Sequence, residues 1–169
     1  WELVGYGRFP HQGLLRARSR ADIDAMEWAI DMTGLESLRD RAVDTLSGGE
    51  RQRAWIAMAL AQQTQVLLLD EPTTFLDLAH QVDVLDLVRR LNRELGRTVL
   101  MVLHDISLAA SYSDWIIAMH DGSVVAEGHP RDVVTAELLW SVFGLRAEIV
   151  TRRHDGRPHV IPLGATSAN

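Results

Sequence analysis

The sequence contains no cysteine and no lysine. Without cysteine there is no disulfide and no thiolate chemistry, a composition compatible with a reducing compartment. Without lysine, all 17 fixed cationic side chains are arginine. The lysine-bearing phosphate loop G-x-x-x-x-G-K-[ST] therefore has no counterpart in these 169 residues. No apolar run approaches the roughly 18 residues of a membrane span, and no N-terminal stretch reads as a secretory leader. Any membrane role is expected to run through a partner. A cationic excess is missing too: 23 acidic residues give a net charge of −6 and a pI near 5.6, against the basic footprint of a nucleic-acid binder. Internal repeats and low-complexity tracts are also absent. What remains is a chain of about one domain, 47% apolar, long enough to bury a core.

The most informative stretch runs from Leu46 to Asp77, LSGGERQRAWIAMALAQQTQVLLLDEPTTFLD. Val66, Leu67, Leu68 and Leu69 form an uninterrupted apolar run, the pattern of a strand buried on both faces of a parallel sheet. Asp70 and Glu71 follow at once, so two carboxylates sit where this strand leaves the sheet, the end at which open α/β sheets bind ligands. One acid there can hold Mg²⁺ and the other can orient or deprotonate an attacking water. Two solvated acids opening a loop would give the same dipeptide. Upstream, Ser47 and Glu50 fit the S-x-x-E capping box, which needs no ligand. That leaves Gly48 and Gly49 unexplained, because glycine at a helix start costs about 1 kcal/mol relative to alanine. Two glycines make sense where an anion approaches bare N–H groups at the positive end of a helix. Spacing alone does not separate cap from anion site, and both can hold.

The flanking segments read as ordinary α/β material. Residues 1–20 are mixed and loop-like around Gly5, Gly7, Pro10 and Gly13, and Arg8 reads as an arginine in a turn. Helical spacing covers Asp22 to Thr33 with Gly34 as its cap, a short helix is expected over Leu35–Arg39, and the glycine turn opens a helix from about Glu50 to Gln62. Its Ala54, Met58 and Ala61 read as packing residues, with Trp55 beside them. Another helix is expected over Ala79–Leu95, with an apolar stripe of Val84, Val88, Leu91 and Leu95, Asp77 as its N-cap and Gly96 closing it. A second buried strand, Thr98–Leu103, ends in His104-Asp105. Asp70 and His104 are 34 residues apart with one helix between, which fits a right-handed βαβ unit opening both strand ends on one crevice. An imidazole there can hydrogen-bond a terminal phosphate and steady a water. Asp121-Gly122 marks a hairpin between Trp115–Met119 and Val124–Glu127. A short helix spans Ala136–Phe143, and beyond Leu145 the pattern is weak, with a candidate hairpin at Asp155-Gly156. His154 and His159 are a feeble metal signal.

Leu46-Ser47-Gly48-Gly49-Glu50, with Arg51-Gln52-Arg53, resembles the signature motif of ABC-type ATPases. Val66–Glu71 resembles their Walker B motif, Pro72–Asp77 their D-loop and His104 their switch histidine, all in the family order. GRFPHQGLL, LLLDEPTTFLDLAHQ, GRTVLMVLHDISLAA and VTAELL are similar to the ATP-binding subunits of ferric-enterobactin-type siderophore importers, over Gly7 to about Gly164. The resemblance implies a partial ABC-ATPase fold of α/β class: a parallel sheet core, a helical subdomain facing a membrane permease, and a C-terminal β-hairpin. It implies a helical part over 1–45, a catalytic half over 46–144 and an extension over 145–169.

The resemblance further implies ATP and Mg²⁺ as cofactors. Partners would be a second ATPase subunit in a head-to-tail pair, permease subunits and, indirectly, a siderophore-binding protein, at the cytoplasmic face of the membrane. Asp70 would hold Mg²⁺, Glu71 would be the catalytic base and His104 the γ-phosphate sensor. Ser47, Gly48, Gly49, Glu50 and Asp77 would face nucleotide across the dimer. Glu50 stands where glutamine is common. The family's Walker A loop, adenine contact and Q-loop would lie before Trp1, so the chain alone is expected to be inactive. Two other outcomes are a non-catalytic remnant that binds permease or sister subunit, and a soluble ABC ATPase outside transport.

Overall fold

The computed structural model describes residues 1–12 and 17–165; Gly13, Leu14 and Leu15 of the GRFPHQGLL phrase lie outside the described residues. The chain divides into two compact units, residues 1–102 and 103–169.

The first unit begins with α1 (Glu2–Tyr6) and α2 (Arg20–Thr33). Helix α2 starts where Ser19 and Asp22 cap each other reciprocally and stops at Gly34, whose φ of +66° needs no Cβ accommodation. Met26, Ala29 and Ile30 of its buried face join one core cluster with Ala54, Ile56, Ala57, Leu60 and Ala61 of α3 (Gly48–Ala61). Gly7 is required here, since a Cβ would stand 2.0 Å from the Met58 carbonyl oxygen. Residues 1–6, expected as loop, are largely helical because Val4 docks on this core.

Arg8 is not the simple turn residue its sequence context suggests. It is buried, its Nε donates to Asp22 Oδ1 at 2.9 Å, and one terminal nitrogen reaches Ala61 O at 2.6 Å and Gln63 Oε1 at 3.0 Å. One guanidinium thus ties the start of α2 to the end of α3, using the planar multi-donor geometry that lysine lacks.

After α3 the chain forms β1 (Val66–Leu69), α4 (Leu78–Leu95) and β2 (Thr98–Met101). β1 and β2 are parallel, in register from Val66 opposite Thr98 to Leu69 opposite Met101, and Val102 N donates to Leu69 O. The second strand ends at Met101, two residues before the expected Leu103. Strand β1 is buried on one face only: Leu67 and Leu69 point into the core, whereas Leu68 is 68% exposed and Val66 is also open. The apolar run marks a strand that the described residues cover from one side. Val84, Leu85, Leu87, Val88 and Leu91 of α4 supply buried residues to the unit.

The second unit contains α5 (Ile106–Tyr112), the antiparallel pair β3 (Ile116–His120) and β4 (Ser123–Gly128), α6 (Pro130–Val133), α7 (Ala136–Phe143), and a second antiparallel pair, β5 (Leu145–Thr151) and β6 (Pro158–Ala165). Asp121 and Gly122 both have positive φ, as a two-residue primed hairpin turn requires. Arg157 donates to the Ala110 and Ser113 carbonyls at the end of α5, satisfying acceptors that the helix leaves open. Among the described residues no helix is long and apolar enough to cross a membrane.

Candidate functional site

Ser47 adopts an extended backbone and its Oγ accepts from Glu50 N at 3.3 Å, while Glu50 Oε2 accepts from Ser47 N at 2.8 Å. The capping box expected from S-x-x-E is therefore present. The Glu50 carboxylate folds back onto the turn, and the Ser47 N–H, followed by the Ser47 hydroxyl, holds it below the usual carboxylate range. Arg51 N–H bonds the Ser47 carbonyl. The N–H groups of Gly48 and Gly49 make no hydrogen bond among the described residues. Two bare donors thus stand at the positive end of a 14-residue helix, where an anion is stabilised by both hydrogen bonding and the aligned peptide dipoles. A cap and an anion can be accommodated together here, because the cap leaves the Gly48 and Gly49 N–H groups unused.

Both glycines also lie close under side chains of the following segment. A Cβ on Gly48 would meet Leu76 Cδ2 at 3.0 Å, and one on Gly49 would stand 2.6 Å from His80 Cδ2. The turn therefore rests on the segment that leads from β1 into α4. In that segment Asp77 Oδ1 accepts from His80 N at 3.0 Å and lies 2.8 Å from His80 Nδ1. Asp77 is an N-cap, and the backbone and ring of His80, in that order, hold its carboxyl below the ordinary range.

Asp70 and Glu71 leave the end of β1 side by side. Asp70 is exposed; Glu71 is partly buried, with its backbone in the left-handed region at φ +47°. Thr74 closes the bend, its N–H on Glu71 O at 3.2 Å and its hydroxyl on Glu71 Oε2 at 2.9 Å. A non-glycine residue at positive φ is uncommon and costs on the order of 1 kcal/mol. Phe75, also left-handed at φ +64°, is fully exposed. Among the described residues no group of three or more His, Asp or Glu gathers into a metal site. Mg²⁺ does not need one, since it is commonly held by one or two carboxylates with water and substrate phosphates completing the shell. An exposed aspartate at a strand end fits that donor set.

His104 lies in the second unit, just ahead of Asp105, which caps α5 by accepting from Leu108 N at 2.8 Å. His154 and His159 are exposed on and beside the β5–β6 pair. The structure thus brings Ser47, Gly48, Gly49 and Glu50 into one turn, packs that turn on the Leu76–His80 segment, and sets Asp70 next to Glu71. Two residues escaped sequence reasoning. Arg8 looks like surface, and only its isolation between Gly7 and Phe9 hints at a backbone-packed position. His80 could have been found as the third residue after a capping aspartate.

The ABC transporter family model matches residues 8–74, which include the glycine turn, β1 and both acids. The ferric enterobactin transport ATP-binding protein FepC of Escherichia coli K12 is 51% identical over 166 residues, covering 98% of this chain and 61% of the relative. The iron(3+)-hydroxamate import ATP-binding protein FhuC of Bacillus subtilis 168 is 51% identical over 157 residues, or 93% and 58%. Among solved structures, an inward-facing ABC transporter of metal-chelate type superposes with a TM-score of 0.87 at 29% identity, over 96% of this chain and 65% of that one. The dimeric cassette MJ0796 bound to ADP and Pi gives 0.60 at 30% identity, over 75% and 56%. The chain spans about 60% of the length of the curated relatives it matches. Motif order, sheet arrangement and these likenesses agree: the chain is similar to the ATP-binding proteins of ABC transporters.

Proposed function

We propose that the chain is part of an ATP-binding and ATP-hydrolysing subunit that drives uptake of ferric siderophores. The observation that carries this is the pairing, in one unit, of a glycine turn with two open N–H donors and a parallel strand ending in Asp70-Glu71. The names of the relatives, which transport ferric enterobactin and ferric hydroxamate, support the substrate class. In this reading Ser47, Gly48 and Gly49 receive the phosphates of a nucleotide held by a sister subunit in a head-to-tail pair, with Glu50 turned back as cap and Asp77 at the dimer seam. Asp70 holds Mg²⁺, which screens phosphate charge when bound. Glu71 takes the proton of the attacking water, and His104 hydrogen-bonds the γ-phosphate. The subunit works at the cytoplasmic face of the membrane beneath a permease.

With no lysine to grip phosphate, the polypeptide supplies one side of each composite site, so by itself it hydrolyses no ATP. Turnover by the purified chain that disappears in Glu71→Gln would overturn this half-site reading. The transport role is tested by co-purification in detergent with the permease of a ferric-siderophore importer. Co-elution is the expected result, and a chain that never co-elutes with such a permease contradicts the role.

A further inference from the structure

We infer that His80 is a positioning residue for the glycine turn: braced by Asp77, its ring fills the space beside Gly49 and fixes where the two bare N–H groups point. The inference rests on reading Ser47–Gly49 as a phosphate site and adds a residue that this reading does not name.

Three observations carry it. First, the ring is anchored on one side, with Nδ1 2.8 Å from Asp77 Oδ1, and on the other it occupies the space over Gly49, its Cδ2 2.6 Å from where a Cβ would stand. Second, His80 and Asp77 are substantially exposed, with side chains 45% and 67% accessible. Such a pair adds little to folding stability, so its fixed geometry is not explained by the core. Third, the strut links Asp77, at the end of the loop that begins at Glu71, to the turn at the start of α3. Leu76 does the same for Gly48, its Cδ2 3.0 Å from the ideal Cβ position. The two residues form a platform under the two glycines. A helix N-terminus binds an anion only as well as its donors are aimed, and a rigid platform sets that aim.

Asparagine is the informative substitute, because its amide nitrogen and oxygen overlay Nδ1 and Cδ2 of the imidazole. The test is titration of the ¹⁵N-labelled chain with a related cassette that keeps its phosphate-loop lysine and is loaded with Mg-ATP, following the backbone amide resonances of residues 48 and 49. Wild type is expected to show a saturable shift at both glycines. His80→Ala should weaken the apparent affinity about tenfold, His80→Asn should stay within about twofold of wild type, and Gly49→Ala should weaken it by about tenfold or more. The double variant Gly49→Ala/His80→Ala should be no weaker than His80→Ala, because the ring that collides with the new methyl is gone. A purely structural role would instead appear as lowered urea midpoints, with no rescue by asparagine. If wild type binds and His80→Ala binds equally well, or if the double variant shows the full product of the two single effects, the inference is wrong while the phosphate-site reading stands. If the wild-type glycine amides do not respond to the Mg-ATP-loaded cassette at all, both fall.

Discussion

Helices α2 and α3 are each 14 residues long and begin with the same device, a serine and an acid three residues on that cap one another. The two caps sit in opposite surroundings. At α2 the acid is Asp22, buried beneath Arg8 and accepting from Ser19 and the guanidinium. At α3 the acid is the exposed Glu50, and the two residues between are glycines rather than Arg20 and Ala21. A capping box alone therefore carries no functional information. The neighbours of the box decide whether the helix start is locked into the core or left with open N–H groups.

The sharpest way to break the contrast is Asp22→Ala. It leaves the Arg8 guanidinium buried beside Ala61 without its carboxylate, and a broken buried pair costs about 3–5 kcal/mol. A urea titration of the first unit should show that loss, and a change below about 1 kcal/mol would remove Arg8 from the account.

The acid limb sharpens the same point. Hydrogen bonds from Ser19 and Arg8 lower the Asp22 pKa from 3.8 to about 2. A depressed folded-state pKa contributes stability above the unfolded value that is lost as pH falls through the folded one. Stability should therefore drop between about pH 4 and pH 2, and Asp22→Asn should flatten that slope.

At the open helix start, Ser47→Ala should cost about 1 kcal/mol, the usual worth of an N-cap hydroxyl. It should leave α2 unaffected, which amide exchange resolves helix by helix. The smallest effect belongs to Glu50→Gln. Glutamine also completes a capping box, so the urea midpoint should not move measurably, and a clear shift would show that the Glu50 charge itself matters.

Much of the fold was readable before any coordinates. The α3 start, the α4 boundaries at Asp77 and Gly96, the β3–β4 turn and the parallel strands all carry local signals: caps, left-handed glycines and uninterrupted apolar runs. Misreadings arose where the decisive partner is distant in sequence. Gly5 and Gly7 disguise α1, yet Gly7 is small because Met58, 51 positions later, presents its carbonyl there. The β5–β6 pair looked weak because Pro158 and Pro162 interrupt its pattern. Both prolines sit in a two-stranded sheet, where a missing N–H can be tolerated at an open edge. The capped glycine turn at Ser47–Glu50 and the Asp70-Glu71 pair at the end of β1 were legible from adjacency. His80 was not, because its meaning comes from the void at Gly49, a property of packing rather than of spacing.

The most direct test of the central claim is complementation. The chain is mixed with a related cassette that keeps its phosphate-loop lysine but has a disabled glycine turn, and Mg²⁺-dependent ATP hydrolysis is measured. The expected result is turnover in the mixture that neither protein shows alone, abolished by Gly49→Ala in this chain. A mixture no faster than the related cassette by itself would contradict the claim that Ser47, Gly48 and Gly49 complete a nucleotide site.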